Sequence, residues 1–367
     1  MIRSRTKLFV LAFVGAMIFS TRAELFVSGF NTNRVFRYDE TNGSFIDIFI
    51  PNTNGLLNLP HCLAFGPDGN LYVASAGNDR VLRYNGTNGA FIDQFVTNAS
   101  GGLDYPVSLI FRGDYLYVSS QLNDRVLRYN ATNGAFVDTF VTNSAALDGP
   151  SDMVFGADGN LYIVGRFNNR VVRYNGANGA FMDIFATNNL VQPFGLRFGA
   201  DGNLYVVSGN GNSVQRFDGT NGTFLNTFVT NGTGGLGFPI GVEIGPDGNF
   251  YVASFANNKV PRYSSTNGAY LGDFVSTNSG GLNGPNFMIF RPPTPPAFSP
   301  SLTIFLLDTN VFVAWTNLSG FRLQEATLLG SNSDWSSVGN SVVTTNDTNV
   351  VTLPLNLGGH FFRLIYP

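Results

Sequence analysis

Chemistry needs polar side chains that stand apart from their surroundings, and this chain of 367 residues has few: two histidines, one cysteine and 12 % charged residues. The residues that stand out are His61, Asp152, Arg166 and Asn286, with Phe194 and Phe255 in the same part of the pattern. Histidine, aspartate and asparagine could orient a ligand through hydrogen bonds or donate to a cation. Arginine could hold an anion, and phenylalanine supplies apolar surface. A separate pair of opposite charges, Arg197 and Glu243, reads as an ion pair, because a buried charge is normally matched. The functional alternative makes Glu243 a base or a metal ligand. No G-x-S-x-G elbow, H-E-x-x-H pair or phosphate loop is present. No organic cofactor is expected and no metal ligands are assigned; a divalent cation, Ca²⁺ or Mg²⁺, is the one cofactor these donors would suit.

The elements that must position these residues come from a repeat. The strand LYVAS at Leu71 returns as LFVSG from Leu25, LYVSS from Leu116, LYIVG from Leu161, LYVVS from Leu204 and FYVAS from Phe250, at intervals of 43 to 46 residues. Each copy is followed by a strand of the type RVLRYN, a Thr-Asn-Gly type of turn and a strand of the type AFIDQF. Asn-Gly between apolar runs is a hairpin signal, because both residues tolerate positive φ. Five copies are preceded by a strand such as HCLAFG, which usually reaches the next strand through an Asp-Gly turn. The unit is therefore four antiparallel strands, a to d, and a repeat of this length predicts an all-β array: a six-bladed β-propeller. The first unit lacks strand a, and residues 284–290 supply one with no strand b, c or d of its own after it, so this strand is expected to close the ring and remove exposed sheet edges.

The pattern P-x-x-h-x-F-x-P/A-D-G-N-L-Y-V followed by N-x-R-V-x-R-Y (h apolar) resembles NHL-type six-bladed propellers of the secreted bacterial type, over about residues 24–292. That architecture is shared with streptogramin lyases and lactonases, so the resemblance implies a fold and leaves function open. A lyase-like site would need histidines beside an acid and a divalent metal. A lactonase-like site would need Glu, Asn and Asp around a cation, with Glu243, Asp152 and Asn286 as stand-ins.

A ligand held by one blade must find something its symmetry mates lack. The arginine column in strand c (Arg37, Arg83, Arg128, Arg173, Arg216, Arg262) and the aspartates of strand d are therefore expected to be cross-strand pairs. The phenylalanines of strands a and d are expected to be core. The variation collects at the starts of the a strands and in the b–c connections. His61, Asp152, Arg166, Phe194, Phe255 and Asn286 are expected to meet there in a shallow mixed pocket at one mouth of the central channel. Arg197 and Glu243 lie deeper, in a column that is otherwise apolar.

The remainder sets context. Residues 1–23 read as a signal peptide: a basic start, an apolar run and Thr21-Arg22-Ala23 before the cut. Residues 24–291 form the propeller, 292–300 a proline-rich linker, and 301–367 a small β module with a faint fibronectin type III character around Trp315. A net charge of −3 gives no footprint for nucleic acid, and no membrane span is expected after signal cleavage. The chain is expected to be a monomer, secreted, periplasmic or at the cell surface, that binds a protein or a carbohydrate without catalysis. A metal-dependent lyase or lactonase, or a purely structural surface protein, are the alternatives.

Overall fold

The computed structural model describes residues 24–53, 55–142 and 146–291, and further on 303–307, 310–316, 322–326, 336–339, 341–345, 348–354 and 361–365. The expected signal peptide and the expected linker lie outside the described residues. The chain divides into two compact units, Met1–Pro292 and Pro293–Pro367.

The larger unit contains six four-stranded antiparallel sheets and, among the described residues, no α-helix. In five sheets the strands follow chain order, as in Pro60–Phe65, Leu71–Ser75, Arg80–Tyr84 and Phe91–Val96. The remaining sheet joins the two ends of the unit. Strand Pro285–Phe290 pairs antiparallel with Glu24–Gly29, placing Leu25 opposite Phe290. Arg291 fastens this join by reaching Glu24 at 2.7 Å, and Glu24 in turn meets Arg37 at 2.9 Å. The six a strands pack side by side in succession, and Pro285–Phe290 meets Pro60–Phe65, so the inner strands close on themselves. This is a propeller-type, all-β fold.

The repeated residues turn out to be fastenings. In the turn before strand b, the Asp68 carboxylate accepts the Asn70 backbone N–H at 3.1 Å, the Tyr72 hydroxyl at 3.0 Å and Arg83 at 3.3 Å. Asp158, Asp201 and Asp247 do the same for Tyr162, Tyr205 and Tyr251. The Thr-Asn-Gly turn needs its glycine twice: Gly89 has φ +70°, and a Cβ there would lie 2.0 Å from the Phe49 carbonyl oxygen of the preceding sheet. In four sheets the c-strand arginine faces the d-strand aspartate in register, Arg37 opposite Asp47 and so on, with Nε–Oδ1 distances of 2.8 to 3.2 Å. Elsewhere the partner shifts: Arg216 and Arg262 turn to Asp201 and Asp247, and Asp273 pairs with Lys259. These groups are part-exposed, so each pair contributes on the order of 0–1 kcal/mol.

The d-strand phenylalanines are buried between sheets, each edge-on to a tyrosine of strand b or, in the sheet with no such tyrosine, to Phe26. The a-strand column also packs against the buried clusters, though less completely. Phe65, Phe111, Phe155, Phe198 and Phe290 are only half-buried. They stand at or next to the last residue of each a strand, where Arg112 lies over Phe155 and Arg291 over Phe65.

In the smaller unit, strands Thr303–Leu307, Asn310–Thr316, Thr348–Pro354 and Val343–Thr345 form one sheet, and Ser336–Ser337, Arg322–Ala326 and Phe361–Ile365 another. Trp315 is buried there with Val313, Leu323, Val351 and Leu353. Among the described residues no helix is long and apolar enough to cross a membrane.

Candidate functional site

Every a strand carries the same irregularity one residue after its proline. Pro60 faces Ser75 and Leu63 faces Val73, so His61 and Cys62 together oppose Ala74 alone. The same two-against-one step holds Val107–Ser108, Ser151–Asp152, Phe194–Gly195, Ile240–Gly241 and Asn286–Phe287. A bulge of this kind re-aims side chains, and it divides the candidate residues into two groups.

In the second, third and fourth sheets the second bulge position turns toward the channel, whereas Phe287 of the closing strand lies against His61. Cys62, Ser108 and Asp152 line a cavity of about 500 Å³ that runs out between the ends of the a strands, past Arg197, Glu243 and Ile289. Where the fifth and sixth sheets meet, the position is glycine, because a Cβ on Gly195 would lie 2.6 Å from the Ile240 carbonyl oxygen. A chain of polar contacts crosses four adjacent sheets in this cavity. The Ser108 hydroxyl donates to Asp152 at 2.9 Å, Arg197 reaches Asp152 at 2.7 Å, and Arg197 reaches Glu243 at 3.1 Å. The Met153 and Leu196 backbone N–H groups also donate to Asp152, and the Ile244 N–H donates to Glu243. Burial alone would lower the Arg197 pKa; the carboxylates of Asp152 and Glu243 more than offset it and hold the pKa above its usual value. Burial, with Asp152 nearby, pushes the Cys62 thiol up to about 12, which leaves it protonated and a poor nucleophile.

The first bulge position faces the other end. His61 is 4 % exposed, Phe194 2 % and Asn286 1 %, so these residues do not form a shallow pocket open to solvent, as the sequence had suggested. They are covered by a collar built from three columns of residues. Just before each a-strand proline comes a residue with positive φ: Leu59, Tyr105, Gly149, Gln192, Phe238 and Gly284. The carbonyl of each accepts the N–H of the first b–c residue of the same sheet, as in Gln121 to Tyr105, Arg166 to Gly149, Phe255 to Phe238 and Phe30 to Gly284. Bulky residues such as Tyr105 (φ 55°) and Phe238 (φ 43°) pay backbone strain to sit there.

The side chains close into a circuit. Phe30 meets His61 at a centroid distance of 5.2 Å, and His61 meets Tyr105 at 5.4 Å. Phe194 meets Phe238 at 5.5 Å, Phe238 meets Phe255 at 6.0 Å, and Phe255 returns to Phe30 at 5.9 Å. Arg166 bridges the gap with its guanidinium carbon 4.1 Å over Phe194, and its charge is felt at both Tyr105 and His61. Burial first, then Arg166, lowers the His61 pKa to about 3, with the neighbouring Asn286 side chain acting the other way. His61 is therefore neutral at physiological pH. Five buried atoms around the collar have no hydrogen-bond partner among the described residues: His61 Nδ1, Gln121 Nε2, Ser151 Oγ, Arg166 Nε and Asn286 Oδ1. Buried polar atoms are normally satisfied, so such a group points to water or a ligand as the missing partner.

The structure thus brings His61, Arg166, Phe194, Phe255 and Asn286 to one end of the channel, and puts Asp152 with Arg197 and Glu243 on the other side of the bulge. Sequence reasoning did not reach Phe30, Tyr105 and Phe238. The signal for the last two was present, as a variable column immediately before a repeated proline.

No protein-family model and no curated protein matches the sequence. Solved structures do. A chain of a nidogen/laminin complex aligns with a TM-score of 0.60 and 18 % identity over 73 % of this chain and 98 % of its own. A protein of unknown function from Bacteroides caccae aligns at 0.59 and 11 %, over 74 % and 99 %. A streptogramin B lyase aligns at 0.51 and 16 %, over 80 % and 87 %. At these identities the likeness is one of fold, and it places the larger unit among propeller proteins.

Proposed function

We propose that residues 24–291 form a six-bladed propeller of the secreted NHL type that acts as a binding or protein-interaction module, with its ligand held at the aromatic collar. The observation that carries this reading is the collar itself: the rings of Phe30, Phe194, Phe238 and Phe255 beside buried polar atoms that lack partners among the described residues. Flat apolar walls with a few unsatisfied polar groups suit a ring-bearing group, either a sugar ring or an aromatic side chain of a protein. One propeller-fold neighbour is seen in a protein complex and another is a lyase, so the fold alone does not choose. Export to the periplasm, the cell surface or the medium belongs to the same reading, as does a monomeric state.

The enzymatic alternative would place a divalent cation among Asp152, Glu243 and Asn286, and the donor set does not fit one. The Arg197 guanidinium bridges the two carboxylates where a cation would sit, and Asn286 stands beside His61 in the collar layer. A melting-temperature screen of the protein against sugars, lactones, Ca²⁺ and Mg²⁺ tests the choice. A rise with sugars alone supports the binder. A rise that requires a metal together with a lactone overturns it.

A further inference from the structure

We infer that the ligand of the collar carries an anionic oxygen group, a carboxylate or its equivalent, and that Arg166 receives it; this rests on the collar being the binding end.

Several arginines of the ring are matched to carboxylates, although not all are: Arg80 Nε, like Arg166 Nε, is buried with no partner among the described residues, and Arg112 and Arg170 reach only backbone carbonyls. In the c strands Arg37, Arg83, Arg128 and Arg173 face carboxylates, Arg197 has two, and Arg291 has Glu24. Arg166 has no carboxylate partner among the described residues. It is half-buried, its Nε has no acceptor, and its guanidinium carbon lies over Phe194 at 4.1 Å and near Phe167 at 5.3 Å. Burial pulls its pKa down, and only the Tyr105 phenol acts the other way. A guanidinium keeps its proton in any case, so a desolvated cation without a counter-ion stands at the mouth of the channel. Unpaired buried charge is costly, and an arriving anion would relieve that cost.

The neighbours are donors as well. Gln121 Nε2, on the preceding sheet, and Ser151 Oγ, on Arg166's own sheet, are buried without an acceptor. Ser151 follows the proline that opens strand a of Arg166's own sheet, and the Gln121 backbone is bonded to Tyr105. On the far side of the collar, Asn286 Oδ1 lacks a donor. The polarity of the site is therefore lopsided, with donors and a fixed positive charge at one side and an acceptor at the other. A ring with a carboxylate at one end and a hydroxyl or amide N–H at the other matches it. Both an acidic sugar and an aromatic acid have this chemistry.

Two pairs of probes separate these sources and isolate the charge: glucuronate against glucose, and benzoate against benzamide, titrated calorimetrically into the full chain and into Arg166→Gln. The expected result is that the acid outbinds its neutral counterpart by about ten- to a hundredfold in at least one pair, and that Arg166→Gln removes the difference. The pair in which this occurs names the source. Equal binding of acid and neutral probe overturns the anion while leaving the collar as the binding end. No binding by any of the four overturns both. Because Arg166 has no protein counter-ion to lose, Arg166→Gln should melt within a few degrees of the parent, roughly the effect of 1 kcal/mol or less. A much larger drop would mean that Arg166 serves the fold, and would overturn the proposal.

Discussion

The two ends of the channel are made by the same six strands, yet they differ in what they leave undone. The open end is polar at its base, and the charges deep in it are matched: Arg197 lies between Asp152 and Glu243, and backbone N–H groups also donate to both carboxylates; Arg112 at its edge reaches a backbone carbonyl. The collared end is tight and mostly aromatic, yet buried polar atoms there lack partners and one arginine lacks a carboxylate. Size alone would favour the open end. Residual hydrogen-bonding capacity favours the collar, because affinity comes from groups that gain a partner on binding, whereas groups already paired gain little.

The comparison breaks most severely at Arg197. Arg197→Met would leave Asp152 (1 % exposed) and Glu243 as two carboxylates without their shared cation. The expected loss is about 3–5 kcal/mol in urea unfolding, the usual result of removing one partner from a buried ionic group. A loss below about 1 kcal/mol would show that the open end is not the self-sufficient structural unit described above.

The collar is sharpened by pH. The folded pKa of His61, about 3, lies below its unfolded value near 6.5, so below pH 6.5 the unfolded chain binds the proton that the folded chain refuses. The His61 contribution to stability is therefore complete above pH 6.5, falls as the pH drops, and levels off near pH 3. Its slope is about 1.4 kcal/mol per pH unit at most. Subtracting the pH profile of His61→Gln from that of the parent isolates this contribution. A flat difference between pH 6 and 4 would place the imidazole in contact with solvent and open the collar.

Much of this was legible in the sequence. The period of the LYVAS strand, the Asn-Gly turns and the spare a strand at residues 284–290 are local signals, and they were enough for the sheets and for the closing strand. The opposite charges at one depth of neighbouring strands, Arg197 and Glu243, were legible for the same reason: strands in equal register bring equal columns together. The bulge was not. An extra residue opposite Ala74 leaves no mark in the spacing of strand a, because the strand reads the same with or without it. His61 and Asp152 therefore looked like members of one pocket, although they occupy the first and second bulge positions and part to opposite sides. Tyr105 and Phe238 escaped because their side chains act from a strained backbone position in a connection, where the pattern of apolar alternation carries no information.

The central claim is that the collar binds and the open end supports. Methyl groups placed by the fold at each end can report on it directly. Val107 and Ile240 occupy first bulge positions beneath the collar; Ile110, Val154 and Ile289 line the cavity of the open end. Methyl-resolved NMR during titration with whichever of glucuronate, glucose, benzoate and benzamide binds should shift the Val107 and Ile240 signals and leave Ile110, Val154 and Ile289 in place. Shifts confined to Ile110, Val154 and Ile289 would put the ligand at the open end and contradict the account.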